Sequence, residues 1–303
     1  MSREVRIAAC QFRVERLRDF SDFEKRVTIL LDKVPSNTDY TVFPELFTVG
    51  LLTLEPEYDA LPVAELIRID KHTEHYRRLF QREAKDRRLN IIAGSHLERQ
   101  GDQYLNVAHI FTADGRELTH AKTHIFPAEA NWSTGEGDEL RVIEDVGPAK
   151  IAIETCYEAE IPELSRIHAL MGAELVICPS FTFTEYGFWR VRHCAQARCV
   201  ENQIYFTHCC TAGEPGAPLP NGFARSSILT PCDSPWTPKG VVAEAETNQH
   251  TVVTGTVDLD ALYKNRQDGA APTFRDRTRR ADVYRKYEPY ATMVTRERVL
   301  VTQ

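Results

Sequence analysis

The sequence has no uninterrupted apolar run approaching the ~20 residues that a helix needs to cross a bilayer. Its opening, MSREVRIAAC, lacks the apolar block of a secretory signal. A chain of this kind is expected in the cytoplasm, with no membrane partner. It also lacks an excess of positive charge: 37 Lys and Arg stand against 44 Asp and Glu, a net charge of −7. That balance disfavours the phosphate neutralisation that nonspecific nucleic-acid binding requires, so no nucleic-acid partner is expected. The one basic cluster, RDRTRR at 275–280, reads as a solvated segment.

The eight cysteines include no CxxC pair and no disulfide-framework spacing. In a reducing compartment most of them read as small buried hydrophobes. His193, Cys194, Cys199, His208, Cys209 and Cys210 crowd one region, but their spacing matches no tetrahedral zinc pattern. No metal is expected. Internal repeats, linkers and low-complexity tracts are missing as well, so residues 1–265 read as one domain and 266–303 as a tail.

What is present is an α/β pattern. Short β-branched or apolar runs begin at Val5, Thr41, Asn90, Asn106, Ala149, Glu174, Ile204, Ser226 and Thr251. Amphipathic helical stretches at 22–34, 75–88, 162–172 and 188–202 lie between some of them. The runs at 41–45, 90–95, 151–156 and 175–180 are continuously apolar, which suits strands covered on both faces. Two sheets packed face to face under outer helices, or one doubly wound sheet, would satisfy that pattern.

Three residues carry chemistry. Glu45, in TVFPELF, ends an apolar strand, where crevices open in α/β proteins. Lys122, in HAKTHIFP, follows a hairpin turn signalled by ADGR. Cys156, in AIETCYEAEIPEL, lies between a strand and a helix whose first turn begins at Pro162. A cysteine on a sharp strand-to-helix elbow is exposed to substrate, and the Tyr157 N–H behind it can face a developing oxyanion. A buried structural thiol is the plainer reading of Cys156 taken alone.

Together, FPE, KTHIFP and CYEAEIPE resemble, in order, the three signature segments of the nitrilase superfamily, the carbon-nitrogen hydrolases. CPSFTF, GFWRVRHCAQARCVENQIYF, GTVDLDALYKNR and RRADVYRKY extend the resemblance over most of the chain. It implies a four-layer α-β-β-α sandwich of two mixed β-sheets with outer helices, and a tail that packs on the domain or across a subunit interface. The triad it implies falls on Glu45, Lys122 and Cys156. An additional glutamate is matched best by Glu129, with Glu136 as the alternative because TGEGD carries an extra residue there.

The implied chemistry is cysteine-dependent hydrolysis of a non-peptide carbon-nitrogen bond, without metal or organic cofactor. Tyr157 after the nucleophile points towards a small amide; Glu158 is shared with nitrilases, so nitrile and N-carbamoyl substrates remain alternatives. Phe47, Trp132, Glu158, Phe181, Thr182, Phe183 and Trp189 are candidate pocket residues. Arg190 reads as a solvated helix face, and Glu154, Glu158, Glu160 and Glu163 as exposed or structural, none of them required for catalysis. A homodimer or larger assembly is implied too. The rival classes are a binding protein that kept the fold without turnover and a redox thiol protein, the latter disfavoured because no resolving cysteine lies close in sequence.

Overall fold

The computed structural model describes residues 3–284 and 286. Along the chain the strands are β1 (Glu4–Val14), β2 (Tyr40–Phe43), β3 (Ile91–Gln100), β4 (Gln103–Phe111), β5 (Glu117–Ala121), β6 (Ile151–Ile153), β7 (Leu175–Ser180), β8 (Tyr205–Gly213), β9 (Ser227–Leu229), β10 (Val241–Glu244) and β11 (Thr251–Asp258). The main helices are α1 (Phe20–Leu31), α2 (Thr73–Arg87), α3 (Pro162–Leu170), α4 (Glu185–Asn202) and α5 (Leu259–Asp268). The nine runs read from the sequence all become strands. The ones not anticipated, β5 and β10, are short and half-exposed.

One sheet has the order β11-β1-β2-β3-β4-β5 and the other β6-β7-β8-β9-β10. Each mixes parallel and antiparallel pairs. They are joined at one corner, where Phe12–Val14 of β1 pairs in parallel with Thr211–Gly213 of β8. Parallel neighbours need crossovers, and α1, α2, α3 and α4 supply them between β1 and β2, β2 and β3, β6 and β7, and β7 and β8.

The period-2 alternation of each strand decides the layers. Ile7, Ala9, Tyr40, Val42 and Ile92 from the first sheet meet Ile151, Ile153, Leu175, Ile177 and Tyr205 from the second in one buried core. The intervening residues point the other way. Phe12, Phe43, Ile91 and Ala93 pack under α1 and α2, while Ala152, Val176, Cys178 and Phe206 pack under α3 and α4. This is the four-layer α-β-β-α sandwich. Both faces of the central strands are covered, which is why they read as unbroken apolar runs.

Residue 265 lies inside α5. Arg266 is buried and donates to the carbonyls of Gln203, at 2.9 Å, and Ala173, at 3.2 Å. The chain beyond docks on the end of α4, Thr273 Oγ1 donating to Val200 O at 2.8 Å and the Phe274 N–H to Gln203 Oε1 at 3.1 Å. Of the expected tail, 285 and 287–303 lie outside the described residues.

Candidate active site

The site forms beyond the carboxyl ends of β2, β6 and β7, where the topology leaves a crevice. Glu45 follows β2 after Pro44. Its position depends on Gly94, which has φ +64° and bulges β3 towards that turn; a Cβ there would lie 2.0 Å from the Pro44 carbonyl oxygen. Leu46, at φ +45°, then turns the chain, and its N–H donates to Ser95 Oγ at 3.1 Å.

Every oxygen of the Glu45 carboxylate has a partner. Oε1 accepts from Lys122 Nζ at 2.7 Å and Asn106 Nδ2 at 2.9 Å, and Oε2 accepts from the Phe181 N–H at 2.7 Å. Lys122, just past β5, is anchored by its own N–H on Asn106 O at 2.9 Å. Its ammonium also donates to Glu129. Glu129 comes from a 3-10 helix, Pro127–Asn131, and accepts from Asn106 Nδ2 at 2.9 Å and the Phe126 N–H at 2.9 Å. Glu136 is exposed and caps the Ile125 N–H instead. Glu129 is therefore the second glutamate beside Lys122.

Asn106 was not anticipated. Its single amide nitrogen bridges Glu45 and Glu129, which fixes the amide orientation, because a flipped carbonyl would face two carboxylates. The available signal was an amide at the inner-face parity of Ala108 and Ile110, at the start of an apolar run.

Cys156 opens a 3-10 helix, Cys156–Glu160, with φ +52°, a left-handed conformation rare for a residue with a Cβ. The strand-to-helix elbow is thus strained, and α3 starts at Pro162 as expected. The thiol is 7% exposed and its Sγ lies 3.8 Å from Phe181 O. The Phe181 backbone therefore touches both candidate reactants, its N–H on Glu45 and its carbonyl on Cys156.

Burial dominates the electrostatics. It raises the Glu45 carboxyl above its usual range, with Glu129 adding to the rise and Lys122 opposing it. Burial likewise pushes the Cys156 thiol well up, Glu45 reinforcing it and Lys122 pulling back. For Lys122 burial works against the charge, but Glu129 and Glu45 outweigh it and hold the ammonium well above its ordinary range. The resting arrangement is a neutral thiol beside an ammonium held between two carboxyl groups.

Glu45, Glu129, Cys156 and Tyr157 line one cavity of about 180 Å³ with Phe181, Thr182 and Phe183. Phe126, Glu160 and Arg190 are also in its wall. Arg190 is not simply a solvated residue: its Nε donates to Glu160 at 2.7 Å and its guanidinium lies 5.8 Å from the centre of the Phe126 ring. Four candidates go elsewhere. Phe47 is buried in the outer core against Phe12, Phe23 and Phe43 because the Leu46 turn folds 47–54 into a 3-10 helix under α1. Trp132 is buried behind Phe183, with ring centres 6.3 Å apart. Trp189 faces away on α4, stacked on His193 and bonded to Glu185. Glu158 is fully buried and its carboxylate is occupied by His120, Thr123 and Thr155. Glu154 is buried too, accepting from Ser165 Oγ and bonded to His168, so neither glutamate is exposed.

The model of the carbon-nitrogen hydrolase family matches residues 6–267. The probable hydrolase YhcX of Bacillus subtilis is 37% identical over 288 residues, 92% of this chain and 54% of that protein. The chloroplastic omega-amidase of Arabidopsis thaliana is 27% identical over 209 residues, 66% of this chain and 53% of its own. The chain thus spans about half the length of these two curated relatives. Saccharomyces cerevisiae Nit3, a member of branch 10 of the nitrilase superfamily, superposes with a TM-score of 0.68 at 22% identity, covering 87% of this chain and 93% of Nit3. At that identity the likeness establishes a shared fold, and the expected resemblance to the nitrilase superfamily is borne out.

Proposed function

The chain belongs to the carbon-nitrogen hydrolase family, and on that premise we propose that it hydrolyses a small amide to a carboxylic acid and ammonia through a thioester on Cys156. The observation that carries this reading is Cys156, on a strained elbow, sharing one cavity with a Glu45 carboxylate fixed by Lys122 and the Phe181 N–H.

Cys156 Sγ attacks the amide carbon while its proton passes to Glu45. A carboxyl raised by burial is a stronger base than a solvated one, and the thiol it must deprotonate is raised by the same burial. The oxyanion is met by the Lys122 ammonium and the Tyr157 N–H in a site largely closed to water, where such donors are worth most. Collapse expels the nitrogen, which takes the proton from Glu45 and leaves as ammonia. Water then attacks the thioester with Glu45 as base, and the acid departs as the thiol is restored. Glu129 keeps Lys122 charged and in place throughout.

At about 180 Å³ the cavity is smaller than the ~300–1,000 Å³ pockets of drug-sized ligands, which supports a small acyl group. Its aromatic wall of Phe126, Tyr157, Phe181 and Phe183 suits an acyl group with apolar surface. Relatives named as amidases include the omega-amidase above and a Pseudomonas (R)-stereoselective amidase. The test is ammonia release from a panel of primary amides, nitriles and N-carbamoyl compounds. Release from amides that vanishes in Cys156→Ala supports the reading; release from nitriles or carbamoyl compounds alone transfers the assignment to those classes. No release from any of them, with Cys156 free and reduced, removes hydrolysis.

The same reading includes assembly of two or more copies. Its support is the outer face of α3, where Ile167, Leu170 and Met171 are 40%, 54% and 45% exposed.

A further inference from the structure

Glu158 takes no part in the reaction scheme, yet its carboxylate joins the two segments that the scheme depends on. Oε2 accepts from the Thr155 N–H at 2.6 Å, immediately before Cys156. Oε1 accepts from the Thr123 N–H at 2.8 Å and Thr123 Oγ1 at 2.6 Å, immediately after Lys122. His120 Nε2 lies 3.0 Å from Oε2, adding a contact two residues before Lys122. The side chain is 1% exposed, so these groups are its solvation.

The plainer explanation is an N-terminal cap of the short helix that Cys156 opens, since Thr155 and Glu158 form a capping box. A cap accounts for the bond to the Thr155 N–H. It does not account for the bonds to Thr123 and His120, which come from the end of β5 in the other sheet. Hydrogen bonds to an ionised acceptor are short and roughly twice as strong as neutral ones, so this group holds the two segments in register.

We propose that Glu158 is a positioning residue that sets the placement of the Lys122 ammonium against the Cys156 thiol by tying Thr123 to Thr155. This inference rests on the proposed function for its kinetic readout, but not for its chemical one. A displacement of about 1 Å at a reacting centre can cost on the order of 100-fold in rate. Lys122 also pulls the Cys156 thiol downward, so moving the ammonium away raises the pH at which the sulfur reacts.

The experiment compares the full-length wild-type chain with Glu158→Gln and Thr123→Val. It measures amide turnover and, by peptide mass spectrometry, the rate of iodoacetamide alkylation at Cys156 as a function of pH. Glu158→Gln is expected to lose about 10- to 100-fold in kcat, with KM nearly unchanged. Its alkylation profile should move to higher pH. Thr123→Val, which deletes one of the donors, should move both quantities the same way by less. A capping role alone would lower thermal stability and leave kcat and the alkylation profile where they were.

Folded variants with wild-type kcat and an unshifted profile overturn the proposal. Should Glu158→Gln not fold, Thr123→Val decides by the same criteria. If the wild-type chain turns over no amide while the alkylation shift persists, the functional reading fails and the positioning role stands. Amide turnover with no shift in either variant is the reverse case.

Discussion

Lys122 Nζ lies 2.7 Å from Glu45 Oε1, with Glu129 against the same ammonium and all three side chains sealed from solvent. One cation is thus shared by two carboxylates in a medium where charge is costly. Burial and Glu129 raise the Glu45 carboxyl against the pull of Lys122, while Lys122 keeps its charge because both carboxylates oppose its desolvation.

Removing the ammonium should therefore damage catalysis and folding together. Lys122→Met leaves two buried carboxylates without their cation, a change that typically costs about 3–5 kcal/mol of stability. In the proposed scheme it also removes an oxyanion donor, worth roughly 100- to 1,000-fold in kcat. Glu45→Gln should lose as much rate with a smaller loss of stability, because an amide still fills the space. Steady-state kinetics and urea unfolding separate the two, and near-normal turnover in either variant would break the assignment of roles.

Asn106 offers a sharper test of the charge count. Asn106→Asp places a third carboxyl against Glu45 and Glu129 without changing shape. Like charges at that range force one group to hold its proton, so activity at neutral pH should fall and its acidic limb should move to higher pH. Asn106→Leu adds no charge but deprives two carboxylates of a donor; bonds to charged groups contribute about 1.5–3 kcal/mol each. It should lose stability without that shift. Identical pH profiles for Asn106→Asp and wild type would refute the shared-charge account.

The strands and their two-sided burial were legible in the sequence, as Ile151, Ala152 and Ile153 show by facing alternate cores, whereas two sheets rather than one followed only from the family resemblance. That Glu45, Lys122 and Cys156 lie close together was legible because their segments are distinctive. Asn106 was hidden, since a polar residue beside an apolar run reads as a strand edge until its strand partner is known. Of the aromatic candidates, Phe47, Trp132 and Trp189 went astray for a related reason, while Phe181 and Phe183 line the cavity. Trp189 and Arg190 are adjacent on α4, and about 100° of helical rotation sends one to His193 and the other to the cavity. Phe47 was displaced by the left-handed turn at Leu46, a backbone feature with no glycine to announce it.

Gly94 should be irreplaceable for the placement of Glu45. Alanine there meets the Pro44 carbonyl oxygen at 2.0 Å as well as an unfavourable φ of +64°, whereas Gly101 has φ +61° with nothing within 4 Å of an added Cβ. Gly101→Ala thus measures the strain alone, on the order of 1 kcal/mol. Gly94→Ala should exceed it clearly and lower kcat too, because Pro44 carries Glu45. Equal stability losses and unchanged kcat would show that the close approach at Pro44 relaxes freely.

Assembly through α3 predicts a dimer or larger species by light scattering at micromolar concentration. Replacing Leu170 and Met171 with Glu places two charges on the apolar face and should shift the population to monomer. A wild-type chain that stays monomeric over that range contradicts the proposal.

Acid should weaken the fold through Glu158 in a defined window. Burial alone would raise this carboxyl, but His120 and Thr123 outweigh it and hold the group at about 2 against the usual 4.5. With the folded value below the unfolded one, the native state binds fewer protons, so the stabilisation is complete above about 4.5 and is lost as pH falls through about 2. The difference corresponds to about 3 kcal/mol for this fully buried group. Urea unfolding of wild type and Glu158→Gln should therefore show a stability gap that is constant near neutrality and narrows from about pH 4.5 downward. A gap that stays constant down to about pH 3 would mean that the carboxylate's charge is not what its four donors stabilise.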